Sequence, residues 1–405
     1  MKDKFMNDEY YLVNIKDLKF KYNKKSDFID VDIDELHIKG GEIVSLLGPS
    51  GSGKTTLLNL LLGYLKPNSG SIKIKNDPKT HEIAYIMQEN SIYENVSVFD
   101  NIFLSAKNHA KWIDSARIKY FDSYFEENIN FELLKKYLVY ANSLYSNKPN
   151  LLAKKWRYFK FLCQLMFSKS VNRKFKILND LRLKNLFKKE LTEVATKLGI
   201  EKFIYKNVNE LSGGQKQRVS FAKGIIKKTN LVLMDEPFSA LDAKIKESTI
   251  DWLLKIKKDF NLSIIIVTHD QHDAMKISDN IILLDKGKVQ QFSTADQLYD
   301  NPNNLFVAKF IGSPEINFIE SDDKREYYIR QNKVEVKPVK NGKYKIIGKK
   351  HFGDSVHYQI DMGSNITWTV VLKESDIKIG QRVNVKYLKS DVLVFDKNGD
   401  RVYAN

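Results

Sequence analysis

The chain has 405 residues, 42% of them hydrophobic, and a formal net charge of +16 at pH 7. This composition supplies buried cores for two domains and excludes a disordered or fibrous protein. No window holds about 18 apolar residues in succession, and the start MKDKFMNDEY lacks the apolar core of a secretory signal. We therefore expect an intracellular protein without a membrane-spanning helix, and the single cysteine fits a reducing compartment.

The first predicted unit is a strand, a loop and a helix around the stretch GPSGSGKTT. The apolar run EIVSLLG predicts a buried strand, and KTTLLNLLLGYL predicts a helix that ends before Pro67. The loop fits G-x-x-x-x-G-K-[ST], in which glycines let backbone N–H groups surround phosphates at a helix start. Lys54 is predicted to reach the β- and γ-phosphates of a nucleotide, and Thr55 to bind Mg²⁺. The predicted ATP-binding loop consists of Gly48, Pro49, Ser50, Gly51, Ser52, Gly53, Lys54, Thr55 and Thr56.

From about 108 to 190 the sequence changes to helical segments rich in aromatic residues and lysine, which predicts a helical insertion. Between Lys148 and Lys189, thirteen Lys and Arg residues stand against one acid, Asp180. Three interpretations remain open for this basic segment. It contacts anionic lipid headgroups or a transporter partner, it binds nucleic acid through phosphates and stacking, or it is a solvated helical excursion. Aromatic residues suited to an interface are Trp156, Tyr158, Phe159 and Phe161.

Two further motifs contain residues suited to Mg²⁺ binding, water activation or phosphate binding. The run NLVLMDE predicts a buried strand that ends on Asp235, a predicted Mg²⁺ ligand, and Glu236, placed to polarise an attacking water. LSGGQ brings Ser212 and the amides of Gly213 and Gly214 to a helix start, which predicts a second anion site. Two phosphate-binding half-sites in one chain predict a head-to-tail pair of subunits. Together with the apolar run LSIIIVTH, these segments predict a parallel α/β core with reactive residues at the carboxyl ends of its strands.

Beyond Phe310 the residue pattern changes again. The tripeptide GSP indicates a linker. After it, the runs KYKIIG, VHYQID, ITWTVVL and RVNVKYL alternate apolar and polar residues and are separated by NG, MGSN and KIG. We interpret these separators as hairpin turns and predict a small antiparallel barrel. The predicted boundaries are 1–312 for the α/β domain and 313–405 for the barrel.

The order of these motifs resembles the nucleotide-binding subunit of ATP-binding cassette (ABC) transporters, in which the LSGGQ loop completes the site of the opposite subunit. The resemblance assigns Gln88 in IAYIMQEN to the loop that touches Mg²⁺ and reports to the membrane partner. It assigns Asp242 in SALD to the dimer seam and His269 in IVTHD to the γ-phosphate contact. Tyr22 matches the aromatic that stacks on adenine, with Phe20 as an alternative.

The resemblance implies a P-loop ATPase core with a helical subdomain, the insertion, and a C-terminal regulatory barrel like the oligonucleotide-binding (TOBE) domain of importers. It implies an importer ATPase that pairs with a copy of itself or a similar subunit, beneath a permease at the cytoplasmic face of the membrane. A solute-binding protein would be an indirect partner, and the cofactors would be ATP and Mg²⁺. The resemblance implies that Glu236 positions the attacking water and that His269 and Lys54 stabilise the charge on the transferred phosphoryl group. Mg²⁺ would be held by Thr55, Gln88 and Asp235. Phosphate would also be bound from the second subunit, by its Ser212, Gly213, Gly214 and Gln215.

The cargo and the functional class have alternatives. The tail of the α/β domain resembles import ATPases for sugars, glycerol phosphate, polyamines or anions. A soluble ABC ATPase acting on nucleic acid or ribosomes is the alternative class, suggested by the basic segment. Two features depart from the family: Lys223 and Gly224 stand where arginine and alanine are usual, and the insertion lengthens the spacing from Gln88 to Leu211.

Overall fold

The computed structural model describes residues 11–25, 27–87, 92–128, 130–144, 151–227, 229–239, 241–353, 355–373 and 376–403. Its strands are β1 (Tyr11–Phe20), β2 (Val31–Lys39), β3 (Ile43–Leu47), β4 (Ser69–Ile74), β5 (Ala84–Ile86), β6 (Leu231–Asp235), β7 (Ser263–Val267), β8 (Asn280–Asp285), β9 (Lys288–Ser293), β10 (Asn317–Ser321), β11 (Arg325–Ile329), β12 (Glu335–Pro338), β13 (Tyr344–His351), β14 (Val356–Gly363), β15 (Ile366–Leu372), β16 (Arg382–Lys386) and β17 (Val392–Asp396).

The α-helices are α1 (Lys54–Leu61), α2 (Val98–Lys107), α3 (Ala110–Glu127), α4 (Phe131–Leu144), α5 (Leu151–Phe167), α6 (Lys174–Asp180), α7 (Leu183–Leu198), α8 (Gly213–Ile225), α9 (Ala243–Phe260), α10 (Gln271–Ile277), α11 (Ala295–Asp300) and α12 (Leu305–Phe310). Short 3₁₀ turns span Thr80–Glu82, Glu201–Phe203, Val208–Glu210 and Lys389–Asp391. In the part of the chain that the structure describes, none of the helices has the length and apolar character needed to cross a bilayer.

The central sheet has the order β5-β6-β7-β3-β8-β9, and all of its pairs are parallel except β8 with β9. Every residue of β3 and β7 is buried. Such continuous burial needs cover on both faces, which explains the unbroken apolar runs that predicted these strands. The predicted parallel α/β core is confirmed, and the carboxyl ends of β6, β7 and β3 lie side by side.

Two hydrophobic cores flank this sheet. Helices α2, α7, α8 and α9 cover one face with a core that includes Phe221 and Leu253. The antiparallel sheet β2-β1-β4 and helix α1 enclose the other core, which includes Leu57 and Leu58. Helix α8 approaches β5 so closely that a Cβ on Gly224 would lie 2.9 Å from the Cβ of Ala84. The glycine at this position, unusual for the family, therefore matches a close contact between helix and strand.

The predicted helical insertion contains α3 to α6 and the start of α7. Trp112, near the start of α3, packs in the core on the central sheet, and its Nε1 donates to Glu190 Oε2 at 2.6 Å. The second half of α3 instead joins α4, α5 and α6 in a separate aromatic core around Phe121, Tyr137 and Phe161. The insertion is therefore a packed helical unit with a core of its own.

The C-terminal strands form two antiparallel sheets, of order β10-β11-β17 and β12-β16-β13-β14-β15. The Asn317 side chain joins the two sheets through bonds of 2.9 and 2.8 Å to the backbone of Thr369. The Trp368 Nε1 also donates to the Phe318 carbonyl at 2.6 Å. This strand-rich region fits the predicted barrel, whose boundary at residue 313 stays a prediction.

Only one of the three predicted hairpin separators joins two neighbouring strands. Ser364 and Asn365 of MGSN have φ of 53° and 62° and connect β14 to β15, as a type I′ turn requires. The prediction is wrong for NG, because β16 lies between β12 and β13, and it is wrong for KIG, because β15 and β16 are not neighbours in the sheet. A Cβ on Gly342 would lie 2.5 Å from the Val383 nitrogen, so this glycine allows the chain to cross closely over β16.

Candidate functional site

The stretch Gly48–Thr56 runs from the end of β3 into the first turn of α1, with backbone conformations that favour glycine. Gly51 and Gly53 have φ of 77° and 98°. A Cβ on Gly48 would lie 2.2 Å from the Leu284 carbonyl oxygen, so a side chain at this position collides with backbone. The neighbouring β8–β9 turn supports the loop, since the Gly287 N–H donates to the Ser52 carbonyl at 3.1 Å. The loop is thereby fixed at the start of α1, where backbone N–H groups favour an anion.

Lys54 lies inside this loop. Its Nζ donates to the carbonyls of Gly48 and Pro49, both at 2.8 Å. Burial lowers the pKa of Lys54, while the carboxylates of Glu236 and Asp235 act in the opposite direction. The side chain is therefore held between the phosphate loop and a pair of acids.

The two acids follow directly from β6. Burial, and then the adjacent Glu236, raises the pKa of Asp235 against the opposing effects of the Tyr85 hydroxyl and Lys54. Tyr85 lies on the neighbouring strand β5, and burial together with Asp235 raises the pKa of Tyr85 to about 12. Tyr85 is not among the residues predicted from sequence, because its position beside Asp235 depends on strand pairing and not on a local motif.

Glu236 and His269 are in direct contact. The His269 Nδ1 lies 2.8 Å from Glu236 Oε1. Because β6 and β7 are neighbours in the sheet, the residues that follow them meet at the same edge. Glu236 has φ of 45°, and its N–H donates to the Val267 carbonyl at 2.9 Å, so the backbone turns at this position. Both side chains remain accessible from solvent.

The segment after His269 is fixed by an ion-pair network that the motifs did not reveal. Lys246 of α9 contacts Asp270 Oδ2 and Asp273 Oδ2, each at 2.9 Å. Burial opposes the charge on Lys246, but its hydrogen bonds to Asp273 and Asp270 raise the pKa of the ammonium group. Asp270 also caps α10 by accepting from the His272 and Asp273 N–H groups. This network positions the loop that carries the histidine.

The two aromatic candidates for adenine stacking have different environments. Phe20 is 6% exposed and packs in the core, whereas Tyr22 is 61% exposed. The Tyr22 hydroxyl lies 3.4 Å from Thr56 Oγ1, beside the phosphate loop. The geometry therefore favours Tyr22, and Phe20 supports its ring in an edge-to-face contact at 4.9 Å.

The LSGGQ loop begins α8 with a capping box. The Ser212 N–H donates to Gln215 Oε1 at 3.1 Å. Asp242 caps α9 by accepting from the Ile245 N–H at 3.0 Å. Ser212, Gly213 and Asp242 are exposed. Among the described residues, no hydrogen bond or ion pair joins Ser212–Gln215 to Lys54, Glu236 or His269.

The oxygen donors near Lys54 fit a hard cation such as Mg²⁺. Thr55 presents an exposed hydroxyl in the first turn of α1, and Asp235 presents a half-buried carboxylate. A bound cation would offset the burial and like-charge effects that raise the pKa of Asp235. Mg²⁺ is commonly bound by one or two protein oxygens together with substrate phosphates and water. The third predicted ligand, Gln88, lies outside the described residues.

The chain shows four similarities to known proteins: to one family, to two import ATP-binding proteins and to one solved structure. The family described as ABC transporter matches residues 31–239. The spermidine/putrescine import ATP-binding protein PotA of Mycoplasmopsis synoviae is 34% identical over 309 residues, covering 69% of this chain and 66% of that protein. PotA of Mesomycoplasma hyopneumoniae strain 232 is 33% identical over 422 residues, covering 94% of this chain and 86% of that protein. In fold, the chain is similar to CbiO1 of an ABC transporter complex from Clostridium perfringens, with a TM-score of 0.50, 21% identity, and coverage of 72% of this chain and 92% of that chain.

Proposed function

Because this chain belongs to the ABC transporter family, we propose that it is the ATP-hydrolysing subunit of an importer for polyamines such as spermidine or putrescine. The observation that carries the catalytic assignment is the 2.8 Å contact between His269 and Glu236 beside Lys54. The cargo assignment rests on the similarity to two import ATPases named for spermidine and putrescine. That similarity favours polyamines over the sugars and glycerol phosphate that the sequence left open.

The site geometry supports in-line attack of water on the γ-phosphate of ATP. The glycine loop and Lys54 bind the β- and γ-phosphates. Glu236 uses Oε1 for the contact with His269, which leaves Oε2 to accept a hydrogen bond from the attacking water. His269 uses Nδ1 for the same contact, so its exposed Nε2 is available to the γ-phosphate. Thr55, Asp235 and Gln88 would hold Mg²⁺, which neutralises phosphate charge when bound.

We further propose that the site is completed by a second subunit, either a copy of this chain or a similar ATPase. The Ser212–Gln215 loop begins α8 with Ser212 and Gly213 exposed, and the N–H groups at this helix start favour an anion. Within the described part of the chain, the loop makes no hydrogen bond or ion pair to Lys54, Glu236 or His269. A head-to-tail pair would bring this loop to the ATP that the other subunit binds. Asp242, exposed at the start of α9, would lie at the seam.

The remaining assignments follow from the same proposal. The subunit would bind peripherally to membrane permeases at their cytoplasmic face, with a solute-binding protein as an indirect partner. Residues 313–405 would form the regulatory barrel. Buried Arg330 ties the strand region to the segment before it. Its guanidinium donates to the carbonyls of Tyr299 in α11, Ala308 in α12 and Ile311 directly after α12.

Uptake of labelled spermidine tests the function. Cells whose only copy carries Glu236→Gln should lose energy-dependent spermidine uptake, because the permease would no longer be reset by hydrolysis. The matched control Glu335→Gln changes an exposed glutamate on β12 and should leave uptake unchanged. Loss of glycerol phosphate or maltose uptake with intact spermidine uptake would contradict the polyamine assignment.

A further inference from the structure

Helix α5 of the insertion has one face packed in the aromatic core. Phe161 and Leu165 are buried there against the helices around them. The Phe161 ring contacts Phe121, with centroids 4.9 Å apart, and Tyr140, at 6.1 Å. The orientation of α5 is thereby fixed, and the face opposite Phe161 points outward.

That outward face carries an apolar stripe instead of the polar residues usual on a surface helix. Leu152, Trp156, Phe159 and Phe167 are 77%, 61%, 64% and 86% exposed. Their positions i, i+4, i+7 and i+15 fall on one side of a helix. At 1.5 Å per residue the stripe is about 22 Å long. A continuous exposed surface of this kind indicates an interaction site.

The charged side chains of α5 are all basic. Lys155 and Lys160 are exposed, and the helical periodicity places them on opposite flanks of the stripe. The Lys160 Nζ lies 5.2 Å from the centre of the Trp156 ring. Helix α5 contains no acidic residue. This face of α5 therefore carries both exposed apolar side chains and positive charge.

We propose that α5 is an interfacial helix that lies on an anionic lipid surface, with the stripe at the boundary between headgroups and acyl chains. An apolar face with flanking lysines is the arrangement that binds parallel to such a surface. A nucleic acid would offer phosphates to the lysines but no apolar layer to an aliphatic side chain such as Leu152. The helix is too short and too charged to cross the bilayer.

Lipid binding by α5 does not depend on ATP hydrolysis, because it can be measured without nucleotide. Of the four tryptophans, only Trp156 is strongly exposed: Trp112 and Trp368 are buried and Trp252 is half-buried. Trp156 fluorescence therefore reports directly on the proposed surface.

The experiment uses the full chain and vesicles of phosphatidylglycerol with phosphatidylcholine, compared with vesicles of phosphatidylcholine alone. We expect co-sedimentation with the anionic vesicles, a blue shift of tryptophan emission, and quenching by lipids brominated near the headgroup. Trp156→Phe should retain binding but lose the shift. Trp156→Gln with Phe159→Gln should weaken binding on the order of tenfold or more. The matched control Phe352→Gln, at an exposed aromatic residue directly after β13, should not.

A charge pair completes the test. Lys155→Glu with Lys160→Glu should abolish the preference for anionic vesicles, whereas Lys337→Glu with Lys340→Glu, at exposed lysines of the C-terminal region, should retain it. Unchanged binding in the stripe variant, or no binding of the wild type, would overturn the proposal. So would binding of a single-stranded oligonucleotide that the same substitutions abolish while vesicles stay unbound. ATP hydrolysis is measured on every variant, so an inactive wild type would count against the proposed ATPase and not against the lipid contact.

Discussion

Replacement of Glu236 by glutamine separates binding of ATP from its hydrolysis. Glutamine keeps the size of the side chain, and its amide oxygen can accept from His269 as the carboxylate does at 2.8 Å. It cannot accept a proton from the attacking water. A positioned base contributes about 10²- to 10⁴-fold to rate, and we expect turnover to fall by that factor.

The same substitution should strengthen ATP binding. Glu236 carries a negative charge toward the place proposed for the γ-phosphate, and one charge pair at about 4 Å is worth about 1 kcal/mol in water. Its removal predicts a Kd for ATP that is roughly fivefold lower. Because Glu236 also acts to raise the pKa of Asp235, that pKa should fall in the variant.

Phosphate release under saturating ATP measures turnover, and fluorescence titration with nucleotide measures binding. Glu335→Gln serves as the control for a glutamate that is exposed and remote in sequence. Turnover within tenfold of the wild type would remove Glu236 from the catalytic role. Weaker ATP binding in the variant would refute the electrostatic argument, even if turnover fell.

Three further predictions concern His269, Gly48 and His109. His269→Ala should reduce phosphate release on the order of a hundredfold while ATP binding persists, and an equal loss of both in the two assays would indicate a structural role. Gly48→Ala, whose Cβ would lie 2.2 Å from a backbone oxygen, should cost about 3 kcal/mol in urea denaturation, against about 1 kcal/mol for Gly41→Ala, which has φ of 79° and open space. Burial lowers the pKa of His109 below 6.5, so the unfolded chain binds a proton first as the pH falls. Wild-type stability should therefore drop as the pH falls below about 6.5, and His109→Asn, which retains a helix cap, should flatten that slope; parallel denaturation curves would exclude this histidine as the cause.

The residues of the proposed site could be located from the sequence because each sits at a strand end marked by a local motif. The phosphate loop, Asp235 with Glu236, and His269 each follow an apolar run, and a parallel sheet brings such ends to one edge. The supporting residues were not predictable in the same way. Tyr85 and Lys246 act across strand pairing and helix packing, and neither interaction has a signature in sequence spacing.

The C-terminal strands show where turn signals mislead. MGSN and NG look alike as short glycine-containing separators, but only the first has its flanking strands side by side. Gly342 is required by close approach to Val383 and not by a tight turn. The insertion shows a related limit, since its aromatic residues divide between a buried set around Phe161 and an exposed set around Trp156. Composition alone could not separate the two sets, whereas the orientation of α5 does.

The most direct test of the central claim is affinity capture of Glu236→Gln from detergent-solubilised membranes with ATP present, followed by mass spectrometry of the bound proteins. If the chain energises a polyamine importer, a permease pair should be recovered together with a solute-binding protein that binds spermidine or putrescine. Recovery of ribosomal or DNA-associated proteins without a permease would contradict the importer assignment and support the alternative class of ABC ATPase.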